Sequence, residues 1–82
     1  MHSKTKQQII DDGHAAKRLL DDTDLERFLD EIREEAFAEF EGTAFDESSL
    51  REQAYNKIQG VEHVRRTLRS MVDNLTIEKK GK

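Results

Sequence analysis

Apolar positions along this chain recur every three or four residues rather than every second one, the period of a helix and not of a strand. Ile9, Gly13, Ala16 and Leu20 fall on one face and predict a first helix over about 4–20. That stripe is narrow. Gly13 within it costs about 1 kcal/mol relative to Ala, but lets another backbone come close. Leu25, Phe28, Leu29, Ile32, Ala36 and Phe40 form the apolar face of a second helix over about 24–41, with Asp30, Glu31, Glu34 and Glu41 on its other side. Thr23 reads as its N-cap, with Glu26 completing a capping box. Asp22 and Asp24 place charge at the positive end of the dipole, and Gly42 is the stop signal.

A third helix is predicted over about 47–75. Phe45-Asp46 with Leu50 reads as a hydrophobic staple around an N-cap. Ala54, Ile58, Val61, Leu68, Val72 and Leu75 then form a near-heptad seam, widened by Val64 and Met71. At 1.5 Å per residue this helix is about 42 Å long and the second about 27 Å. The short link Gly42-Thr43-Ala44-Phe45 makes the two antiparallel neighbours, and the third overhangs the second. Met71, Val72 and Leu75 then need cover from the first helix or from a second chain.

Charge is segregated in a way that suits this hairpin. Residues 21–52 carry thirteen acidic and three basic side chains, whereas residues 53–82 carry seven basic and three acidic. With positions adding to about 90 facing each other across a hairpin, Arg65, Arg66 and Arg69 are expected beside Asp21, Asp22, Asp24 and Leu25. Exposed pairs of this kind contribute about 0–1 kcal/mol each, so they select orientation more than they stabilise.

Composition then bounds the protein. Eighty-two residues make one domain at most: a single helical domain over 1–78, with 79–82 a flexible basic tail. Only 34% of the residues are hydrophobic and 39% are charged. A monomer of this length would have a thin core, so self-association is expected. The absence of cysteine excludes a disulfide framework and a thiolate metal site. No apolar run is long enough for a membrane span, and the start Met1-His2-Ser3-Lys4-Thr5-Lys6 leads into no apolar signal region. A soluble intracellular protein without membrane association is expected.

The sequence offers little catalytic chemistry. Asp11-Asp12-Gly13-His14 holds an acid three residues before a His, but helical di-metal sites need that pair on two helices. His2, His14 and His63 share no face. The carboxylate pairs Asp30/Glu34 and Glu31/Glu35 lie on the polar side of a helix and read as a solvated face. No nucleotide-binding loop or catalytic triad pattern is present. No catalytic or metal residue and no cofactor is therefore assigned. Arg65, Arg66 and Arg69 are the candidate anion contacts, because Arg suits bidentate phosphate recognition. An acidic chain with a pI near 5.3 argues against nucleic acid as the partner. Phe37 and Tyr55 lie about 100–130° from the centres of their apolar stripes. With Leu68, Met71, Val72 and Leu75 they are the candidate interface residues, unless the first helix covers the two rings within the chain.

Two stretches, Ala16-Lys17-Arg18-Leu19-Leu20-Asp21-Asp22 and Val64-Arg65-Arg66-Thr67-Leu68-Arg69-Ser70-Met71-Val72-Asp73-Asn74, with Phe28 between them, carry a resemblance. The chain resembles a group of small, uncharacterised helical proteins of tailed bacteriophages encoded near capsid and packaging genes. The resemblance extends in pattern over residues 9–78. It implies a phage origin, a virion-assembly or host-takeover context, and localisation in the host cytoplasm or the virion. It brings no catalytic or binding residue with it.

Together these readings describe an all-α, non-enzymatic, oligomeric protein, an antiparallel helical hairpin preceded by a shorter helix. Its partners are expected to be further copies of itself, with other virion proteins or a host protein as additional candidates. A counter-defence protein that binds a bacterial protein or an anionic nucleotide signal is the alternative.

Overall fold

Thr5 starts the first helix by a reciprocal arrangement: its hydroxyl accepts from the Gln8 backbone N–H, and the Gln8 side chain accepts from the Thr5 N–H. Two of the donors left orphaned at a helix start are satisfied at once. Helix α1 runs Lys6–Leu20, α2 runs Thr23–Glu41 and α3 runs Ser48–Lys80. The structure is a computed structural model and describes residues 3–80. Among the described residues all regular structure is helical. The long α3 is the spine, with α1 and α2 both packing on it and scarcely on each other. The result is an elongated slab measuring 56 × 31 × 16 Å.

The helix boundaries differ from the sequence reading at three places. The cap of α2 is Asp22, not Thr23: its carboxylate accepts from the N–H groups of Asp24 and Leu25. An ionised side chain answers the positive end of the helix better than a hydroxyl does. At the start of α3 the Phe45–Leu50 staple does not form. Phe45 is 96% exposed and Leu50 is exposed as well. Instead Glu47 reaches back to accept from the Ala44 N–H at 2.6 Å, and its carbonyl accepts from the Arg51 N–H. Helix α3 also continues through Lys80 rather than stopping near Leu75. No Gly or Pro falls between Leu75 and Lys80, and Lys79 and Lys80 complement the negative end of its dipole. Gly81 and Lys82, the rest of the expected tail, lie outside the described residues.

The hairpin itself has the expected antiparallel sense, but in a different register. Arg65 meets Asp30, Arg33 meets Glu62 and Lys57 meets Glu39. Positions adding to about 95 therefore face each other, where the link length had suggested about 90. This register sets the small side chains Ala36 and Ala54 into the seam with Val61, and all three are buried. It also sets Arg65 against Glu26 and Asp30 rather than against Asp21, Asp22, Asp24 and Leu25. Arg66 and Arg69 make no ion pair among the described residues.

Helix α1 docks on the C-terminal part of α3 through its two smallest stripe residues, Gly13 and Ala16, both buried. A Cβ placed on Gly13 would run into Leu75 Cβ and lie 2.9 Å from the Met71 carbonyl oxygen. The backbone approach anticipated at Gly13 is thus used, and it covers Leu75, which is 5% exposed. The core that results is small: Ala16, Ala36, Ala54, Val61 and Leu75. Among the described residues no large side chain is fully buried.

Candidate interaction surface

Arg65 occupies the place where the apolar seam of α3 needs a side chain. From Val61 to Leu68 is seven residues, and a 3.6-residue helix presents a position between them to the partner. Arg65 fills it and is only 8% exposed. Its Nη2 donates to Asp30 Oδ1 at 2.6 Å and lies 3.4 Å from Glu26 Oε1, while Nη1 is 3.9 Å from Glu62 Oε1. Its Nε has no hydrogen-bond partner among the described residues. The guanidinium is held above its ordinary range, first by the hydrogen bond to Asp30. Burial pulls the other way, and the charges of Glu26, Asp30 and Glu62 add to the rise. Arg65, one of the candidate anion contacts, ties α2 to α3 within the chain. The remaining candidate anion contacts, Arg66 and Arg69, are exposed.

The interhelix ion pairs mark the two broad faces of the hairpin. By helical phase, Arg33 and Glu39 lie about 60° to either side of the buried Ala36. The Arg33–Glu62 and Lys57–Glu39 bridges therefore close opposite faces. On the first of these faces Arg33, Phe37, Phe40, Tyr55 and Ile58 line an open, largely apolar depression. Phe37 is 48% exposed and Tyr55 52%. The opposite face carries Phe28, Ile32 and Val64, also exposed. There, however, the Arg27 guanidinium lies 4.4 Å over the Phe28 ring, a contact that masks part of the ring with charge.

Why α1 leaves the aromatic face open follows from where it docks. Met71 and Leu75, which meet Gly13, lie about 160° or more around α3 from Tyr55. A helix seated on them cannot also reach Tyr55 or Phe37. The candidate interface residues therefore divide into two groups. Phe37 and Tyr55 are brought together on one open face, joined by Phe40 and Ile58. Leu75 is buried and Leu68, Met71 and Val72 are half-buried in the other part of the slab.

Two features are not legible in the sequence. The pairing of Arg65 with acidic residues of the second helix is expected, but its burial in the seam between Val61 and Leu68 is masked by its charge. Phe45, almost wholly exposed at the turn, had been assigned to a staple. Among the described residues no group of three His, Cys, Asp or Glu is placed to hold a metal ion, and no helix is long and apolar enough to cross a membrane. Comparison of the chain with protein-family models, curated proteins and solved structures finds no match.

Proposed function

We propose that this chain is a non-enzymatic bacteriophage protein that works by assembling into a helical oligomer, as a virion-associated or assembly component. The observation that carries the oligomer is the imbalance between its core and its surface. Among the described residues the buried hydrophobic ones are three alanines, a valine and a leucine, while Phe28, Ile32, Phe37, Phe40 and Tyr55 stay exposed. A chain of this size needs more buried apolar surface to offset its conformational entropy. Aromatic side chains left open on a helical face are the usual make-up of a protein contact. The phage context rests on the resemblance of residues 16–22 and 64–74. The non-enzymatic reading is supported by the use of Arg65, the one buried charged side chain among the described residues, as a structural tie between helices.

A second reading has its own support. Arg66 and Arg69 are exposed and make no ion pair among the described residues, so they are open to an anionic group. A counter-defence protein that captures an anionic nucleotide signal or a bacterial protein would use them. Proteomics of purified phage particles separates the two. Stoichiometric presence in particles supports the assembly role. Absence from particles, together with retention of a cyclic nucleotide on the purified protein, supports the alternative.

A further inference from the structure

We infer that Arg65 decides what α3 pairs with: it keeps the apolar seam of α3 on the chain's own α2 and bars the α3 helices of two copies from pairing along that seam. This goes beyond the assembly reading, since it concerns a surface that assembly does not use.

From Ala54 to Leu75 the seam of α3 steps by four, three, four, three, four and three residues, the a/d spacing of a coiled coil. Every position on it is buried or half-buried. All but one are apolar, and the exception at the centre is Arg65, only 8% exposed. With an apolar residue there, the seam would be a continuous stripe of the kind on which identical helices pair.

Arg65 makes that pairing unfavourable in either direction. In a parallel pair like positions meet, so the two Arg65 guanidinia face each other. Because Arg65 is the middle position, reversing one helix leaves the two guanidinia in the same or the adjoining layer. Arg69, one turn on and about 40° round the helix, brings further like charge to the same edge. The one acidic partner that α3 itself offers Arg65 among the described residues is Glu62, 3.9 Å from Nη1. Like charges desolvated together are strongly unfavourable.

Helix α2 supplies what a second α3 lacks. Glu26 and Asp30, one turn apart, lie 3.4 and 2.6 Å from Nη2. Even so, the Arg65 Nε has no hydrogen-bond partner among the described residues. A buried cation with an orphaned donor adds little net stability over an apolar side chain of similar size, so its main effect is the choice of partner. The choice matters because the packing it protects is thin. Among the described residues no large side chain is fully buried, and α1 buries only Gly13 and Ala16. An uninterrupted seam would compete with such packing as concentration rises.

The test compares full-length variants with wild type at equal concentration, by circular dichroism, light scattering and hydrogen exchange read segment by segment. Arg65→Leu completes the apolar seam. It should keep wild-type helicity and associate more than about tenfold more tightly than wild type. The amides of α2 should exchange more than about tenfold faster while those of α3 stay protected. Arg65→Lys keeps a cation at the centre of the seam and should match wild type in mass. Glu26→Gln with Asp30→Asn frees the arginine from α2 but leaves it in the seam, so α2 should exchange faster with no gain in mass. This role of Arg65 is overturned if Arg65→Leu associates no more tightly than wild type, or gains mass with α2 still protected. Loss of helicity in Arg65→Leu also overturns it, since a completed seam should be no less helical. So does a gain in mass by Arg65→Lys or by the carboxylate variant to match that of Arg65→Leu. Every readout is a change from wild type, so a monomeric wild type would overturn the self-assembly reading and leave this role of Arg65 standing.

Discussion

Arg65 donates to Asp30 across the hairpin at 2.6 Å from a site that is almost wholly buried, while the Asp30 side chain is about half exposed. The pair is therefore asymmetric. Removing the arginine opens a hole between Val61 and Leu68, whereas removing the carboxylate leaves a cation that still has Glu26 nearby. Arg65→Ala should cost about 1–3 kcal/mol in chemical denaturation. Asp30→Asn should cost less than about 1 kcal/mol. Arg65→Met, which keeps a packed stem without the charge, should fall between wild type and the alanine variant. The sign of the pH dependence follows from the raised guanidinium. Its stabilisation is complete below the unfolded pKa and is lost only as pH climbs through the arginine range, so the Arg65 charge gives no slope in stability near neutrality.

Two glycines in helices should respond to alanine with opposite signs. At Gly13 the added Cβ meets Leu75 and the Met71 carbonyl, and backbone cannot step aside as a flexible side chain can. Overpacking of this kind costs about 1–3 kcal/mol, more than the roughly 1 kcal/mol gained from better helix propensity. Gly60 has nothing within 4 Å of its would-be Cβ. Gly60→Ala should raise stability by about 0.5–1 kcal/mol. Thermal melts of the two variants read both signs directly. A Gly13→Ala protein as stable as wild type would show that α1 does not dock where Leu75 meets it.

The start of α2 offers a third check. Asp22→Ala removes an acceptor shared by two backbone N–H groups and should cost about 1 kcal/mol. Thr23→Ala should be nearly neutral, because Thr23 is the first helical residue and not the cap. The reverse order of effects would restore Thr23 as the cap.

How much of this was legible in the sequence depends on which signal a residue carries. Leu20 and Glu41 end their helices where the apolar period stops, the second at Gly42. The antiparallel sense followed from a link too short for anything else. The register did not, because Arg65 sits at a seam position that periodicity assigns to an apolar residue. A charged side chain there reads as surface until Asp30 and Glu26 are seen to face it. The beginning of α3 was misread for a related reason. Phe45-Asp46 has the residue types of a staple, but the Glu47 carboxylate makes the local bond that fixes the turn. For the candidate surface, helical phase alone put Phe37 and Tyr55 off their stripes. Whether α1 covered them hinged on a tertiary fact, the seating of Gly13 on Leu75.

Phe37 should matter more for assembly than for folding. Phe37→Ala is expected to reduce the apparent mass at micromolar concentration while leaving helicity close to wild type, since the ring is half exposed within the chain. Circular dichroism and sedimentation on the same sample give both quantities. A large fall in melting temperature with unchanged mass would mean that the ring belongs to the chain's own core.

Self-assembly is the claim on which the rest depends, and multi-angle light scattering of the wild-type chain across a micromolar dilution series tests it most directly. The expected result is a mass that is a whole multiple of 9.6 kDa, falling on dilution together with thermal stability, because association and folding are linked by mass action. A monodisperse, fully helical 9.6 kDa species at every concentration, with a melting temperature independent of dilution, would contradict it.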